Sequence, residues 1–172
     1  MTEPDITLIP ATADLRDEFW EMAHEWQAAD DPRYRAGIDD FEHYMAQVER
    51  YRKGVDILPQ FVPSSEFWLV KGRRILGRVS IRHRLNAGLE IEGGHIGYDI
   101  RPSERRKGYG TLLLALALKE ARALGLKRVL VTCDTDNTGS AKIIEKNGGV
   151  FDGHETSPRT GKQINQYWIE LR

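Results

Sequence analysis

The alternation of apolar and polar residues along the chain predicts a mixture of strands and helices. Alternation with a period of two, or a continuous β-branched run, predicts strands at residues 5–10, 65–71, 75–84, 95–100, 129–133, 150–155 and 164–171. Apolar residues three and four positions apart predict a helix at residues 39–52 and another that Thr12 or Asp14 caps and that continues to Trp26. A long apolar stretch predicts a helix at residues 112–124, and a cap at Asn137 or Thr138 together with Gly148 predicts one at residues 140–147.

The order of these elements favours an α/β (mixed α+β) fold in one domain over residues 1–172. The strands at residues 65–71 and 75–84 are joined by a hairpin around Gly72 and Arg73, which makes them antiparallel. A strand–helix–strand crossover follows them along the chain. We therefore expect a central mixed, mostly antiparallel sheet with helices on both faces.

Composition narrows the class of protein. The chain has 172 residues, of which 40% are hydrophobic and 30% charged, as in globular proteins. An acidic start, a single cysteine (Cys133) and apolar runs too short for a bilayer predict a cytoplasmic protein with no membrane association. No basic stripe is interleaved with aromatic residues, so no nucleic-acid partner is expected.

Charge is distributed unevenly along the chain, although the formal net charge is only −1. Acidic side chains dominate residues 1–66 and basic ones dominate residues 67–172. The basic part suits a polyphosphate cofactor. The acidic part either attracts a cationic amine or forms the solvated faces of surface helices. In the strand over residues 75–84, Arg78, Ser80 and Arg82 face away from Val79 and Ile81.

The segment from Tyr98 to Thr111 carries the clearest chemical signal. A short strand enters a basic loop with two glycines, and the loop opens directly into a long apolar helix. Unsatisfied N–H groups and the helix dipole favour an anion at such a helix start. Gly108 and Gly110 let the backbone approach a phosphate closely, because no Cβ intervenes.

Two common phosphate-binding motifs do not fit this loop. Lys107 precedes the first glycine, which excludes the nucleotide P-loop, and Leu113 stands where the dinucleotide motif needs its third glycine. The segment instead resembles the acetyl-coenzyme A signature of the GCN5-related N-acetyltransferase (GNAT) superfamily, with Arg105 as its first position and Gly108 and Gly110 as its glycines.

A second signature of the same family follows the next strand. Asn137 comes after that strand, Ser140 lies three residues later, and a helix then ends near Gly148. The chain most resembles a bacterial subgroup of acetyltransferases with Gly-Gly-His-Ile-Gly-Tyr and Ile-Glu-Lys-Asn-Gly-Gly motifs, here residues 93–98 and 144–149. The resemblance covers residues 93–151 best.

The resemblance implies a GNAT fold with a parallel pair of strands that splays apart beside the cofactor loop. It also implies that acetyl-coenzyme A (acetyl-CoA) is the co-substrate, with no metal, that its arm lies along Tyr98–Ile100, and that its diphosphate lies on the amides of residues 106–111. The residues that the resemblance assigns to the cofactor are Tyr98, Ile100, Arg105, Arg106, Lys107, Gly108, Tyr109, Gly110, Thr111, Asn137, Ser140 and Lys142.

The catalytic residues are less clear, because the usual ones are absent. The family's tyrosine acid falls on Ile144, and its glutamate base falls on Gly94. A lysine-like amine has a pKa near 10.4 and must lose a proton before it attacks, so a base is needed. We predict Glu92 as that base, with His95 as the alternative or as a structural histidine. Tyr98 or Tyr167 is the candidate acid, unless the thiolate leaves unaided.

The sequence therefore predicts an N-acetyltransferase that transfers acetyl groups directly to an amine in a ternary complex. The acceptor is expected to be a small or amino-acid-like molecule. A protein or peptide amine is an alternative, and so is a non-catalytic acyl-CoA sensor that has lost the acid and the base. The resemblance also favours a homodimer. Cys133 ends a buried strand with no base nearby, so we interpret it as a core residue and not as a nucleophile.

Overall fold

The computed structural model describes residues 5–172, with seven strands and six helices in that part of the chain. The strands are β1 (Ile6–Pro10), β2 (Ser64–Lys71), β3 (Arg74–Arg82), β4 (Ile96–Ile100), β5 (Arg128–Asp134), β6 (Val150–Thr156) and β7 (Gln163–Glu170). The helices are α1 (Arg16–Ala28), α2 (Arg35–Asp39), α3 (Phe41–Lys53), α4 (Ala87–Ile91), α5 (Tyr109–Ala123) and α6 (Thr138–Lys146). Short 3₁₀ turns at Ala13–Leu15 and Pro102–Glu104 precede α1 and α5.

The strands form two antiparallel sheets, in the orders β1-β2-β3-β4 and β5-β7-β6. The mixed α/β class is confirmed, but the expected single sheet is divided between β4 and β5. These two strands share no ladder in residues 5–172. Just before β4 begins, the His95 N–H donates to the Leu130 carbonyl at 2.8 Å and the Leu130 N–H donates to His95 Nδ1 at 2.9 Å. Beyond that contact β4 and β5 separate, which is the splay that the resemblance implied.

A glycine makes this junction close enough to form. Gly94 has a positive φ of 59°, and a Cβ added there would lie 2.3 Å from the Leu130 carbonyl oxygen. No side chain fits in that space. The junction therefore depends on the second glycine of the Gly-Gly-His motif.

Helices cover both faces of the larger sheet, as the element order predicted. On one face Val79, Ile81 and Ile96 belong to a core cluster with Leu113 and Leu114 of α5. On the other face Phe19 and Met22 of α1 and Phe41 of α3 pack in a cluster with Trp68 of β2. The Phe19 and Trp68 rings stack with their centroids 5.6 Å apart.

Local signals placed most element ends within a few residues. Thr12 does act as a cap, but its side chain accepts from Asp14 N–H and caps the 3₁₀ turn, so that α1 begins only at Arg16. The five-residue helices α2 and α4 were not predicted, because so few residues show no clear period. In residues 5–172 no helix has the length and apolar character needed to cross a membrane.

Candidate active site

The start of α5 presents a row of unpaired amide groups. The N–H groups of residues 106–111, here called the amide cradle, make no hydrogen bond with any other described residue. Gly108 occupies the N-cap position of α5 with a left-handed φ of 82° and no side-chain cap. Arg106 also has a positive φ, of 61°. Donors that converge on one point at the positive end of a helix dipole form an anion site.

The two glycines of the loop have different physical roles. A Cβ added at Gly108 would have no heavy atom within 4 Å, so Gly108 supplies the left-handed turn and leaves the space in front of the amides open. A Cβ at Gly110 would lie 2.6 Å from Ile143 Cδ1 of α6. Gly110 therefore lets α5 and α6 pack closely, whereas the sequence predicted it as a point of phosphate approach.

Buried ion pairs with α1 fix the loop in front of the cradle. The Arg101 guanidinium is only 2% exposed, and it pairs with Glu18 and, at 2.7 Å, with Glu25. Glu25 also accepts from Ser103 N–H at 3.2 Å. Glu18 and Glu25 thus hold the loop that precedes α5, so these two acidic residues of α1 do not form the solvated face that was considered from the sequence.

The cradle opens into a cavity of about 860 Å³, here called the main cavity, between β4, α5 and α6. Eleven of the twelve residues predicted to bind the cofactor line it. They are Tyr98, Ile100, Arg105, Arg106, Gly108, Tyr109, Gly110, Thr111, Asn137, Ser140 and Lys142. The exception is Lys107, which lies outside the lining and pairs with Glu104 at 2.9 Å. Its ammonium group therefore forms an ion pair within the loop.

Residues from the N-terminal half complete the wall of the main cavity. Trp26 of α1 and Arg33 of the following loop line it, and neither was predicted as part of the site. The Arg33 and Arg105 guanidinium carbons lie 3.8 and 4.8 Å from the centre of the Trp26 ring. Cations stacked on an aromatic face are held in position, so these two arginines are fixed at the cavity wall. No sequence signal connected Trp26 with residues about 80 positions later.

The edge of β4 that faces the gap between the sheets has free backbone groups. Arg101 N–H donates to Leu76, and Arg82 N–H donates to His95, which sets the odd-numbered residues of β4 towards β3. Ile96, Tyr98 and Ile100 therefore direct their N–H and C=O groups to the open side. This edge can accept an extended ligand as an added strand.

Tyr98 connects β4 with the start of α6. Its hydroxyl shares a hydrogen bond of 2.7 Å with Ser140 Oγ. Burial raises the pKa of Tyr98 to about 12, so the hydroxyl is protonated at neutral pH. The Asn137 side chain accepts from Ser140 N–H at 3.0 Å and so caps α6. Its amide nitrogen makes no hydrogen bond with a described residue, which leaves a donor at the cavity.

The predicted base candidates lie outside the main cavity. Glu92 accepts from Ser157 Oγ at 2.8 Å and pairs with Arg159 at 2.9 Å, so its carboxylate links the segment before β4 to the loop between β6 and β7. His95 is 6% exposed, and its Nδ1 accepts from Leu130 N–H at 2.9 Å. Burial lowers the pKa of His95. The neutral ring acts as a structural link between β4 and β5.

Other side chains considered from the sequence belong to the core. Ile144, at the position of the family's tyrosine acid, is fully buried. Cys133 is 8% exposed within the same core cluster, and burial raises the pKa of its thiol. Tyr167 is 3% exposed, and its hydroxyl donates to Glu145 at 3.5 Å. No cluster of three or more metal-binding side chains occurs in residues 5–172.

Solved acetyltransferases share this fold. The RimJ protein of Mycobacterium smegmatis, in complex with CoA-disulfide, has 16% identity and a TM-score of 0.75, covering 96% of this chain and 81% of that one. The microcin C7 self-immunity acetyltransferase MccE, in complex with acetyl-CoA and AMP, has 17% identity and a TM-score of 0.73, covering 97% and 93%. The Salmonella typhimurium enzyme that modifies the N-terminal serine of ribosomal protein L7/L12 has 14% identity and a TM-score of 0.71, covering 100% and 97%.

At these identities the likeness shows a common fold, and family membership rests on the sequence model. No curated protein sequence matches the chain. The model of the acetyltransferase (GNAT) domain matches residues 5–150, which is most of the chain. This protein therefore belongs to the GNAT family of acetyl-CoA-dependent N-acetyltransferases.

Proposed function

We propose that this protein binds acetyl-CoA in the main cavity and transfers the acetyl group to the amine of a small or amino-acid-like acceptor. The observation that carries the proposal is the amide cradle, residues 106–111, which makes no hydrogen bond of its own with a described residue and opens into a cavity of about 860 Å³. When it is bound, acetyl-CoA supplies a thioester carbonyl for the amine to attack.

The residues of the main cavity fit the parts of such a ligand. Cradle amides suit a diphosphate, and Arg105 and Lys142 add positive charge around it, whereas Arg33 is paired with Asp31 and Asp99. The open edge of β4 suits the amides of an extended arm. Because the cradle follows the carboxyl end of β4, an arm that runs back along β4 from the cradle would carry its reactive end towards Gly97.

Tyr98 is the proton donor that the geometry favours. Its hydroxyl lies in the main cavity, and burial raises its pKa to about 12, so it keeps its proton well above neutral pH. Tyr98→Phe should lower kcat by about a hundredfold and leave the Kd of acetyl-CoA unchanged. Tyr167→Phe is the matched comparison, since it removes the hydroxyl of the other candidate acid. The reverse result, with Tyr167→Phe inactive and Tyr98→Phe active, would transfer the role to Tyr167.

Glu92 stays a candidate base that acts through water, because its carboxylate lies on the segment that leads into β4. Its pairing with Arg159 offers a control. Glu92→Gln removes the carboxylate and breaks the ion pair, whereas Arg159→Gln breaks the same ion pair and keeps the Glu92 carboxylate. A base predicts loss of kcat only in Glu92→Gln. Equal kcat values in the two variants would show that Glu92 only anchors the loop.

Two alternatives have specific support. The core position of Ile144 and the structural contacts of His95 favour a non-catalytic acyl-CoA sensor, which would bind acetyl-CoA and acetylate no amine. The similarity to the enzyme acting on ribosomal protein L7/L12 favours a peptide acceptor. Release of free thiol from acetyl-CoA, measured with amino acids, small amines and peptides in turn, separates all three functions.

A further inference from the structure

A second cavity lies on the face of the larger sheet that carries α3. It has a volume of about 410 Å³, and we call it the acceptor-side cavity. Its lining residues are Tyr51, Gln60, Phe61, Val62, Ser64, Ser80, Arg82, Asn86, Gly88 and Leu89. Arg82 is the one charged residue among them. The cavity is therefore cationic at one point and has aromatic and aliphatic walls elsewhere.

The charge of Arg82 is not neutralised within residues 5–172. Its Nη1 donates to the Gly93 and Gly94 carbonyls at 3.1 and 3.0 Å, and no carboxylate pairs with it. The neighbouring Arg78 does have an acid, Glu66, at 2.8 Å. Burial and the Arg78 charge lower the pKa of Arg82. A half-buried cation without a counter-ion is unfavourable, so an anion in the cavity would be stabilising.

The Arg82 guanidinium lies close to the part of β4 where the acetyl transfer is proposed to occur. A Cβ added at Gly97 of β4 would lie 3.9 Å from Arg82 Nη1 and 4.0 Å from Nη2, with no other side chain within that distance. The guanidinium therefore lies across Gly97. Gly97 is the residue next to Tyr98, on the strand where the proposed cofactor arm ends. An anion on Arg82 would thus lie beside the acetyl group.

We infer that the acceptor is an amino acid whose carboxylate pairs with Arg82 while its amine faces the thioester at Gly97. This inference rests on the proposed acetyl transfer and specifies its substrate class. One planar guanidinium suits a carboxylate, which it binds with two parallel hydrogen bonds. In an α-amino acid a single carbon joins the carboxylate to the amine, which matches the short distance between Arg82 and β4.

The remaining lining residues fit the rest of such a ligand. The Ser64 and Ser80 hydroxyls make no hydrogen bond with a described residue, so they are free to donate to the carboxylate. The Tyr51 and Phe61 rings, 5.9 Å apart, form an apolar wall for a side chain. The amino acid would therefore be held by its charged end and selected by its side chain.

The test compares each of the twenty amino acids with its amide in the thiol-release assay. The amide keeps the amine and the side chain and removes only the negative charge. We expect at least one amino acid to be acetylated, with kcat/KM at least tenfold above that of its amide, as for the loss of one hydrogen bond to a charged group. Equal use of acid and amide would overturn the inference, and so would acetylation of amides alone.

Variants of Arg82 test whether this residue causes the preference for the amino acid over its amide. Arg82→Gln should reduce the ratio of acid to amide to about one, Arg82→Lys should keep part of it, and the Kd of acetyl-CoA should stay unchanged in both. Arg84→Gln, the same change at an exposed arginine outside the cavity, should keep the full ratio. If Arg82→Gln kept the wild-type ratio of acid to amide, the inference would be overturned.

Two further results separate this inference from the proposed function. If Arg82→Gln does not fold, Gly97→Val decides, because its side chain fills the space beside Arg82 and leaves Arg82 itself unchanged. It should lower kcat/KM for the amino acid at least tenfold, and unchanged kcat/KM would contradict the inference. A wild-type protein that binds acetyl-CoA and acetylates no amino acid would refute the inference alone. A wild-type protein that does not bind acetyl-CoA would refute the proposed function.

Discussion

Replacing Gly108 by alanine tests the amide cradle with a control in the same helix. Gly108 precedes α5 with φ 82°, and Gly125 follows it with φ 90°. An added Cβ would meet no heavy atom within 4 Å at either position. Both substitutions therefore have one structural cost, the left-handed backbone of an L-residue, which is about 1–2 kcal/mol. For a chain of this size that lowers Tm by roughly 2–8 °C.

The two variants should differ in ligand binding. Gly108 lines the main cavity, so we expect the Cβ of Gly108→Ala to keep a diphosphate at a distance from the cradle amides. Loss of two hydrogen bonds to a charged group costs about 3 kcal/mol, which corresponds to a Kd for coenzyme A raised more than about a hundredfold. Gly125→Ala lies at the far end of α5 and should bind as the wild type does.

Calorimetric titration with coenzyme A gives the Kd, and thermal unfolding by circular dichroism gives the Tm of each variant. The expected result is a similar fall in Tm for both variants and a loss of affinity only in Gly108→Ala. If Gly108→Ala and Gly125→Ala bound coenzyme A with Kd values within threefold of each other, the cradle would not be the diphosphate site.

Three further expectations concern stability. Arg101→Met removes the buried partner of Glu18 and Glu25, leaving them the longer contacts of 3.9 Å with Arg74, and should lower the free energy of unfolding in urea by about 3 kcal/mol. Arg16→Met breaks an exposed ion pair and should cost less than about 1 kcal/mol, and equal losses in the two variants would contradict this. Gly94→Ala should abolish folding or cost more than about 3 kcal/mol, because its Cβ would overlap the Leu130 carbonyl, and a wild-type Tm would exclude that contact. Burial lowers the pKa of His95 below 6.5, so the folded state binds fewer protons and stability decreases as the pH falls below 6.5; urea unfolding at pH 7.5 and 5.5 should show a smaller loss in His95→Gln, and an equal loss would refute it.

Periodicity located the long elements because their buried faces are regular. The strand β3 carries alternating apolar residues, and β2 and α5 carry continuous apolar runs, so no distant contact was needed to recognise them. The separation of β4 from β5, in contrast, could not be predicted from local spacing. It depends on the contact between Gly94 and Leu130, two residues far apart in sequence whose proximity exists only in the fold.

The same distinction applies to the site. The predicted lining of the main cavity lies on two continuous signatures, whose local geometry follows from glycines and caps. Trp26 and Arg33 come from the N-terminal half and carry no local signal. The partners of Glu92 lie more than 60 residues away, so its ion pair with Arg159 was not predictable from the strand pattern. Arg82 did have a signal, the polar face of its strand, but its lack of a counter-ion within residues 5–172 is visible only in three dimensions.

An amide NMR titration of the wild-type protein with coenzyme A tests directly whether the amide cradle binds the diphosphate. Because the N–H groups of residues 106–111 have no partner among the described residues, a bound diphosphate should give them new hydrogen bonds. We expect the largest chemical-shift changes in these amides, saturating at one equivalent of coenzyme A. Binding that leaves these amides unshifted, or no binding at all, would contradict it.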